Sequence, residues 1–93
     1  MLTAFLFINA EIGSETKVLR FVKTIDAVEE VYLVYGVYDI VAKIRTESMD
    51  ELKGIITSRL IRSDGVNSNL TMIVIPEEQN FITPTEEGPT IIA

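Results

Sequence analysis

The chain of 93 residues contains no cysteine, no histidine and no tryptophan, and the first two absences each exclude a class of chemistry. Without cysteine there is no disulfide framework, no iron–sulfur centre and no thiol nucleophile, which fits a cytoplasmic protein. Histidine is the side chain that proteins use most often as a general base and as a metal ligand, so its absence disfavours catalysis. We therefore expect a protein that is not an enzyme and that carries neither a metal nor another cofactor.

Basic residues are also scarce, since 8 lysines and arginines stand against 14 acidic residues and give a net charge of −6. Proteins that bind nucleic acid draw affinity from lysines and arginines that displace counterions, so direct binding of nucleic acid is disfavoured. No apolar run approaches the roughly 20 residues that a membrane-spanning helix needs, because the run Met1–Ile8 ends at Asn9. No positively charged segment precedes that run, which excludes a typical signal peptide.

Apolar residues, in contrast, are abundant for a chain of this length. They make up 47% of the sequence, and the mean hydropathy is +0.30. A single domain of about this size buries only about 60–65% of its unfolded surface. The surplus of apolar side chains therefore indicates burial against another subunit.

The pattern of apolar residues predicts four strands and two helices in the order βαββαβ. The predicted strands are Leu2–Asn9, Val28–Tyr35, Tyr38–Thr46 and Val66–Ile75. The helices are predicted to begin after the N-cap residues Ser14 and Ser48 and to end near Asp26 and Arg62. Right-handed crossovers place both helices on one face of a four-stranded antiparallel sheet. We therefore expect an α+β ferredoxin-like plait over residues 1–76, followed by an extended or flexible tail over residues 77–93.

The first strand is apolar on both of its faces, which has a consequence for assembly. Leu6 and Ile8 share one face, whereas Phe5 and Phe7 lie on the other. Because both helices cover the same side of the sheet, the phenylalanines are left on an uncovered face. A monomer seldom exposes such a large apolar surface. We therefore expect a dimer that forms through this sheet face, with a twofold axis between the copies.

The segment between the second and third strands holds the first group of candidate site residues. Gly36 is expected to take the positive φ of a tight two-residue turn with Val37. Asp39 follows at the start of the next strand, and two interpretations remain open for it. Its carboxylate can satisfy backbone N–H groups of the turn, as aspartates near turns often do, or it can bind a ligand.

A second group of candidates lies on the last strand. Asn67, Asn69 and Thr71 alternate along it and so share one face. These short polar side chains can keep the face of an edge strand hydrated, or they can hydrogen-bond a small polar ligand. The residues alone leave both interpretations open.

Four segments together resemble the ligand-binding (RAM) domain of the Lrp/AsnC transcriptional regulators, and the resemblance covers Met1–Ile75. They are Thr3-Ala4-Phe5, the stretch from Val31 to Asp39, Ser48-Met49-Asp50-Glu51-Leu52, and Leu70-Thr71-Met72-Ile73-Val74. The Gly-Asp-Tyr-Asp pattern of the family is Gly-Val-Tyr-Asp here, because Val37 replaces the first acid. The helix-turn-helix that usually precedes the domain is missing from this sequence, so the resemblance implies a stand-alone effector module.

The resemblance also implies a function, a partner and a site. Members of the family form dimers, which assemble into rings of four or five dimers, an octamer or a decamer. A free amino acid is held where two dimers meet. Carried over to this chain, Gly36 and Asp39 would form the turn around the ligand, Tyr38 would form a wall, and Asn69 and Thr71 would contact its polar groups. The α-ammonium group of the ligand would meet Asp39.

An effector module of this kind modulates transcription or partner proteins without binding DNA itself. Full-length Lrp/AsnC paralogues are possible partners in mixed oligomers. Two alternatives share the fold: a small dimeric α/β-barrel enzyme of the cofactor-free monooxygenase or isomerase type, and an ACT-like regulatory domain.

Overall fold

A computed structural model describes residues 1–75 of the chain, so the predicted tail over residues 77–93 lies outside the described residues. The elements are β1 (Leu2–Ala10), α1 (Glu15–Lys23), β2 (Val28–Leu33), β3 (Ile40–Thr46), α2 (Met49–Ile55), a π-helical continuation of α2 (Ile56–Leu60) and β4 (Val66–Ile73). The predicted order βαββαβ is confirmed. None of the helices within residues 1–75 is long and apolar enough to cross a membrane.

The four strands form one sheet in the order β2-β3-β1-β4, and every neighbouring pair is antiparallel. The central strand β1 pairs with β3 and β4 in a register that aligns Leu6 with Ala42 on one side and with Thr71 on the other. This arrangement is the predicted ferredoxin-like plait. It leaves β2 and β4 as the two edges of the sheet.

The core lies between the two helices and one face of the sheet. Its completely buried strand residues are Ala4, Leu6, Ile8, Ile40, Ala42 and Ile44, and its buried helix residues are Val18, Val22, Leu52 and Leu60. Burial of each of the larger side chains contributes about 1.5–3 kcal/mol to folding. Because residues of both helices belong to one cluster with one face of the sheet, the prediction that the helices share a face is confirmed.

The two helices begin at the predicted N-cap residues, but only one of them is capped by its side chain. The Ser48 hydroxyl accepts a hydrogen bond from the Glu51 N–H at 3.2 Å, and the Glu51 carboxylate accepts one from the Glu47 N–H at 2.8 Å. Ser14 makes no such bond. In its place, the Glu15 carboxylate accepts a hydrogen bond from the Gly13 N–H at 3.0 Å.

The connection between β2 and β3 differs from the predicted two-residue turn. β2 ends at Leu33 and β3 begins at Ile40, so the connection spans residues 34–39 and is closed by a hydrogen bond of 2.8 Å from the Val34 N–H to the Asp39 carbonyl. The positive φ predicted for Gly36 is wrong, since within residues 1–75 positive φ occurs at Gly13 and Gly65. A connection of this length spreads the reversal of chain direction over several residues. None of them therefore needs the left-handed backbone conformation with a positive φ.

Candidate functional site

The Asp39 side chain ties the start of β3 to the end of β1. Its Oδ2 accepts a hydrogen bond of 3.0 Å from the Ala10 N–H, and the Asp39 N–H donates one of 3.0 Å to the Ile8 carbonyl. The residue is half-buried. Asp39 therefore does satisfy a backbone amide, but this amide belongs to the neighbouring strand rather than to the hairpin. Its Oδ1 has no hydrogen-bond donor among residues 1–75 and can accept one from a ligand.

Tyr38 lies on the face of the sheet that the helices leave uncovered, which we call the open face. Its ring packs against the ring of Phe7, with the centroids 5.7 Å apart and the planes tilted by 56°. Gly36 is fully on the surface near the tip of the connection, where a Cβ atom would meet only the Tyr38 carbonyl at 3.9 Å. Contacts to β1 therefore hold Tyr38 and Asp39 in place. At Gly36, in contrast, neither the backbone conformation nor the surroundings require glycine.

Asn69 and Thr71 lie on the other side of the sheet. The register aligns them with Ile8 and Leu6, whose side chains are buried beneath the helices, so both point to the helix-covered side of the edge strand β4. Their backbones are about 10 Å from the start of β3, because β1 lies between β3 and β4. One chain therefore does not bring them together with Tyr38 and Asp39.

Two polar residues that the sequence did not single out lie close to the Asp39 end of β1. The Asn9 amide donates a hydrogen bond of 3.3 Å to the Ser68 hydroxyl across the pair of strands β1 and β4. Asn9 precedes Ala10, whose N–H is bound to Asp39, and both Asn9 and Ser68 belong to the open face. Alternation along β1 places Asn9 on the same face as Phe7, but the sequence contains no signal for the register that brings Ser68 opposite to it.

An apolar row crosses the whole open face. The register aligns Tyr32 with Val41, Val41 with Phe7, and Phe7 with Leu70, so that one residue comes from each strand. Tyr32 is 55% exposed and Leu70 is 40% exposed. The adjacent row adds Phe5 on β1 and Met72 on β4. Monomeric proteins rarely expose a contiguous apolar surface of this kind, so the open face is a candidate interaction surface.

The remainder of the open face, towards β2, is charged but internally compensated. Arg45 Nη1 lies 3.3 Å from a Glu29 carboxylate oxygen, and Lys43 Nζ lies 3.7 Å from Glu29 and 3.9 Å from Glu30. The Tyr32 hydroxyl donates a hydrogen bond to Glu30, and the bond and charge of this carboxylate raise the pKa of Tyr32 above its ordinary value. Two acids and two bases thus cancel, and this part of the face adds no net charge.

A shallow cleft of about 260 Å³ lies at the opposite end of the sheet from Asp39. Its lining consists of Met1, Asp26, Ala27, Arg45, Thr46, Glu47 and Glu51. None of the residues predicted as site residues belongs to it. The cleft therefore gives no support to the predicted site.

A comparison with models of protein families matches most of this chain to one domain family. The model of the Lrp/AsnC ligand binding domain matches residues 3–80 of the chain. The crystal structure of FFRP-DM1 is similar to the chain at 32% identity and a TM-score of 0.78, over 81% of this chain and 100% of that chain. A search of the curated proteins found no match.

Two longer regulators each contain a region of the same fold. Escherichia coli AsnC is 25% identical with a TM-score of 0.76, over 81% of this chain and 51% of that chain. A transcriptional regulator of Neisseria meningitidis, crystallised as a complex with L-Met, is 17% identical with a TM-score of 0.73, over 82% of this chain and 51% of that chain. At that identity, the Neisseria protein shows a common fold alone.

Proposed function

This chain belongs to the Lrp/AsnC ligand-binding domain family, and from that premise we propose that it is an effector-binding module that senses a free amino acid. The observation that carries this proposal is the position of Asp39. The Gly-x-Tyr-Asp segment places a half-buried carboxylate at the end of β1, where one oxygen is fixed by Ala10 and the other can accept a hydrogen bond. The family is one of regulatory ligand-binding domains rather than of enzymes.

Asp39 is suited to the α-ammonium group of an amino acid. A hydrogen bond between a charged donor and a carboxylate is about twice as strong as one between neutral groups. The bond from the Ala10 N–H orients the carboxylate before the ligand arrives, which lowers the entropy lost on binding. The L-Met complex of the Neisseria regulator supports an amino acid as the class of ligand.

The ligand is proposed to bind at a seam between subunits. Asn69 and Thr71 lie on the helix-covered side of β4, away from Asp39 of the same chain, and both are half-exposed. At a seam, Asp39, Tyr38 and Gly36 of one subunit would meet Asn69 and Thr71 of another. The ligand would then stabilise only those assemblies in which the seam is formed.

The open face supplies the first contact between copies in this proposal. Its apolar row is contributed by all four strands, and its charged part is internally neutral, so that two copies can approach without repulsion at this surface. Face-to-face packing of two such sheets gives the dimer, and dimers would assemble through the ligand seam into an octamer or decamer. Ligand binding would shift the population between assemblies in proportion to its differential affinity for them.

The module is proposed to act on transcription or on partner proteins without contacting DNA itself, since its net charge is −6. Co-assembly with a full-length paralogue would give it access to a DNA-binding domain. Native mass spectrometry after co-expression with such a paralogue tests this step. Mixed oligomers are expected, and two separate sets of homo-oligomers would contradict it.

The amino-acid proposal is tested by thermal unfolding in the presence of each of the twenty amino acids. One or a few should raise the Tm, because a ligand at 100 times its Kd stabilises the native state by about 2.7 kcal/mol. Asp39→Asn should abolish this effect while retaining an oxygen that can accept the Ala10 N–H. Asp50→Asn, which removes an exposed acid on the first turn of α2, is the matched control and should respond like the wild type. The proposal fails if no amino acid raises the Tm or if Asp39→Asn responds unchanged.

A further inference from the structure

Two segments supply the residues of the proposed site, and together they contain a single charged side chain. The first runs from Val31 to Asp39, where Asp39 is the one charged residue, and the second runs from Gly65 to Pro76, where every residue is uncharged. In the whole chain, charged residues make up 24%. A ligand held between these segments therefore meets one carboxylate and otherwise apolar or neutral polar groups.

The carboxylate of Asp39 is fully used once an α-ammonium group binds to it. Its Oδ2 accepts the Ala10 N–H at 3.0 Å, and its Oδ1 is the oxygen that the proposed function assigns to the ligand. The amide of Asn69 and the hydroxyl of Thr71 are neutral donors that suit the α-carboxylate. No charge in the two segments then remains for a charged side chain on the ligand, and a charge that leaves water without a partner is strongly disfavoured.

The negative charge near Asp39 further disfavours an acidic side chain on the ligand. Glu11 follows Ala10, whose N–H is bound to Asp39, and it is exposed. The Glu11 N–H donates to the Gly65 carbonyl at 2.8 Å, so this acid lies where the end of β1 meets the corner before β4. Like charges that are brought together weaken binding. The site is therefore least suited to free aspartate and glutamate.

The hairpin offers apolar surface beside the carboxylate. Val37 is 84% exposed and Tyr35 is fully exposed, although both side chains are large and hydrophobic. Because consecutive Cα atoms are about 3.8 Å apart, those of Val37 and Asp39 are separated by at most about 7 Å. Tyr38 lies between them, and its ring is held on Phe7. An amino acid whose ammonium group binds Asp39 therefore has its side chain within reach of Val37.

We propose that Val37 determines the class of effector, and that this class is the neutral amino acids with an apolar side chain. The inference rests on the proposed function, because it refines the ligand of the same site. Contact with an apolar side chain removes the exposed surface of Val37 from water, which favours binding. A charged side chain loses hydration in that contact and gains no partner. Val37 is thus a specificity residue, whereas Asp39 holds the α-ammonium group.

Isothermal titration calorimetry with L-leucine, L-alanine, L-lysine and L-glutamate tests the specificity of the wild type. L-leucine should bind at least about tenfold more tightly than L-lysine, and L-glutamate should bind most weakly. L-leucine should also bind more tightly than L-alanine, since a methylene group in an apolar pocket changes affinity by about tenfold or more. Equal or tighter binding of L-lysine or L-glutamate would overturn the inference and leave amino-acid sensing intact.

Val37→Asp tests the role of the residue itself. A second carboxylate beside the ligand should lower the affinity for L-leucine and raise that for L-lysine, each by about fivefold or more. Gly54→Asp is the matched control, because it adds the same charge to the exposed side of α2, where an added Cβ has open space. It should keep the wild-type preference. A Val37→Asp protein that also keeps this preference contradicts the role of Val37.

Two further variants cover the remaining outcomes. Val37→Thr keeps the shape of the side chain and adds no charge, so it should bind L-leucine several-fold more weakly and still reject L-lysine. Unchanged affinity for L-leucine in this variant would show that Val37 does not contact the ligand. Tight binding of L-lysine by the wild type that Glu11→Gln removes would assign specificity to Glu11 instead.

The failure of this inference is distinguishable from that of the function proposed above. Binding of charged amino acids alone contradicts the apolar class and supports the amino-acid sensor. Binding of none of the twenty amino acids contradicts both.

Discussion

The two faces of the same sheet have the same strands and nearly opposite environments. On the helix-covered face, Leu6 and Ile8 of β1 have no exposed surface at all. On the open face, Phe5 and Phe7 of the same strand are only half-buried, and the row through Phe7 ends at the exposed Leu70. Because side chains alternate along a strand, one segment supplies both environments. The comparison indicates that packing on the covered face stabilises the fold, whereas the open face is the surface that we propose contacts a second copy.

We expect the largest loss of stability from a substitution that removes packing on the covered face. Leu6→Ala removes a completely buried side chain and should lower the free energy of unfolding by about 2–5 kcal/mol. Urea denaturation, followed by circular dichroism at a concentration where the protein is monomeric, measures this change. Phe5→Ala on the open face of the same strand should cost the monomer clearly less. Equal losses for the two variants would contradict the assigned difference between the faces.

A smaller effect is expected at the corner that leads into β4. Gly65 has a φ of +94°, and an added Cβ would lie 3.0 Å from the Ser14 Cβ and 3.2 Å from Val18 Cγ2. Gly65→Ala should therefore lower the free energy of unfolding by about 1–3 kcal/mol, through backbone strain and repacking of α1. Gly36→Ala is the matched control at the hairpin tip, where the space is open, and should change stability by less than about 0.5 kcal/mol. A similar loss in both proteins would show that Gly36 has a structural role of its own.

Substitutions on the open face should weaken self-association more than they lower the stability of the folded monomer. Phe7→Ser removes the centre of the apolar row and the partner of the Tyr38 ring, so it should weaken self-association by about 1–3 kcal/mol. Sedimentation equilibrium of the variant measures this change, with circular dichroism as the check on folding. Ser68→Ala, at the polar end of the same face, is the control and should associate nearly as the wild type does. An unchanged dimer in the Phe7 variant would move the contact to another surface.

The smallest expected effect concerns an exposed ion pair that belongs to neither face. Lys17 on α1 contacts Asp64, and its hydrogen bond and charge lower the pKa of the Asp64 carboxyl. A carboxyl with a lower pKa in the folded state stabilises the protein above its unfolded pKa of about 3.9, and this contribution disappears as the pH falls through the folded pKa. An NMR titration of Lys17→Ala should show the Asp64 pKa returning upwards, with almost no change in stability at pH 7. A pKa that stays low in this variant would assign the shift to another group.

The sequence predicted most of the fold because the relevant signals are local. Alternation along β1, the serines at the helix starts and the break at Gly65 suffice to place four strands and two helices to within a few residues. The connection 34–39 was predicted wrongly, because glycine beside an apolar run is compatible with a tight turn and also with a longer one. The residues at which β2 ends and β3 begins are determined by how the two strands pair with each other. A short stretch of sequence does not contain that information.

The candidate site was less accessible to prediction. The neighbours Gly36 and Tyr38 led us to propose Asp39 as a site residue, but its bond to Ala10 joins residues that are 29 positions apart. The hydrogen bond from Asn9 to Ser68 joins residues 59 positions apart, and no pattern in the sequence predicted that these two side chains would meet. Residues such as these become neighbours only when the register of the sheet is known.

By itself, the sequence determined the order of the elements, the apolar character of both faces of β1 and the absence of cysteine and histidine side chains. These properties follow from the residue types and from spacings of two to four residues. Tertiary structure alone decided that Tyr38 packs on Phe7, that Asp39 is held by Ala10, and that Asn69 and Thr71 lie on the opposite side of the sheet. The reason is that a strand has two faces and many possible registers, and long-range pairing selects one of them.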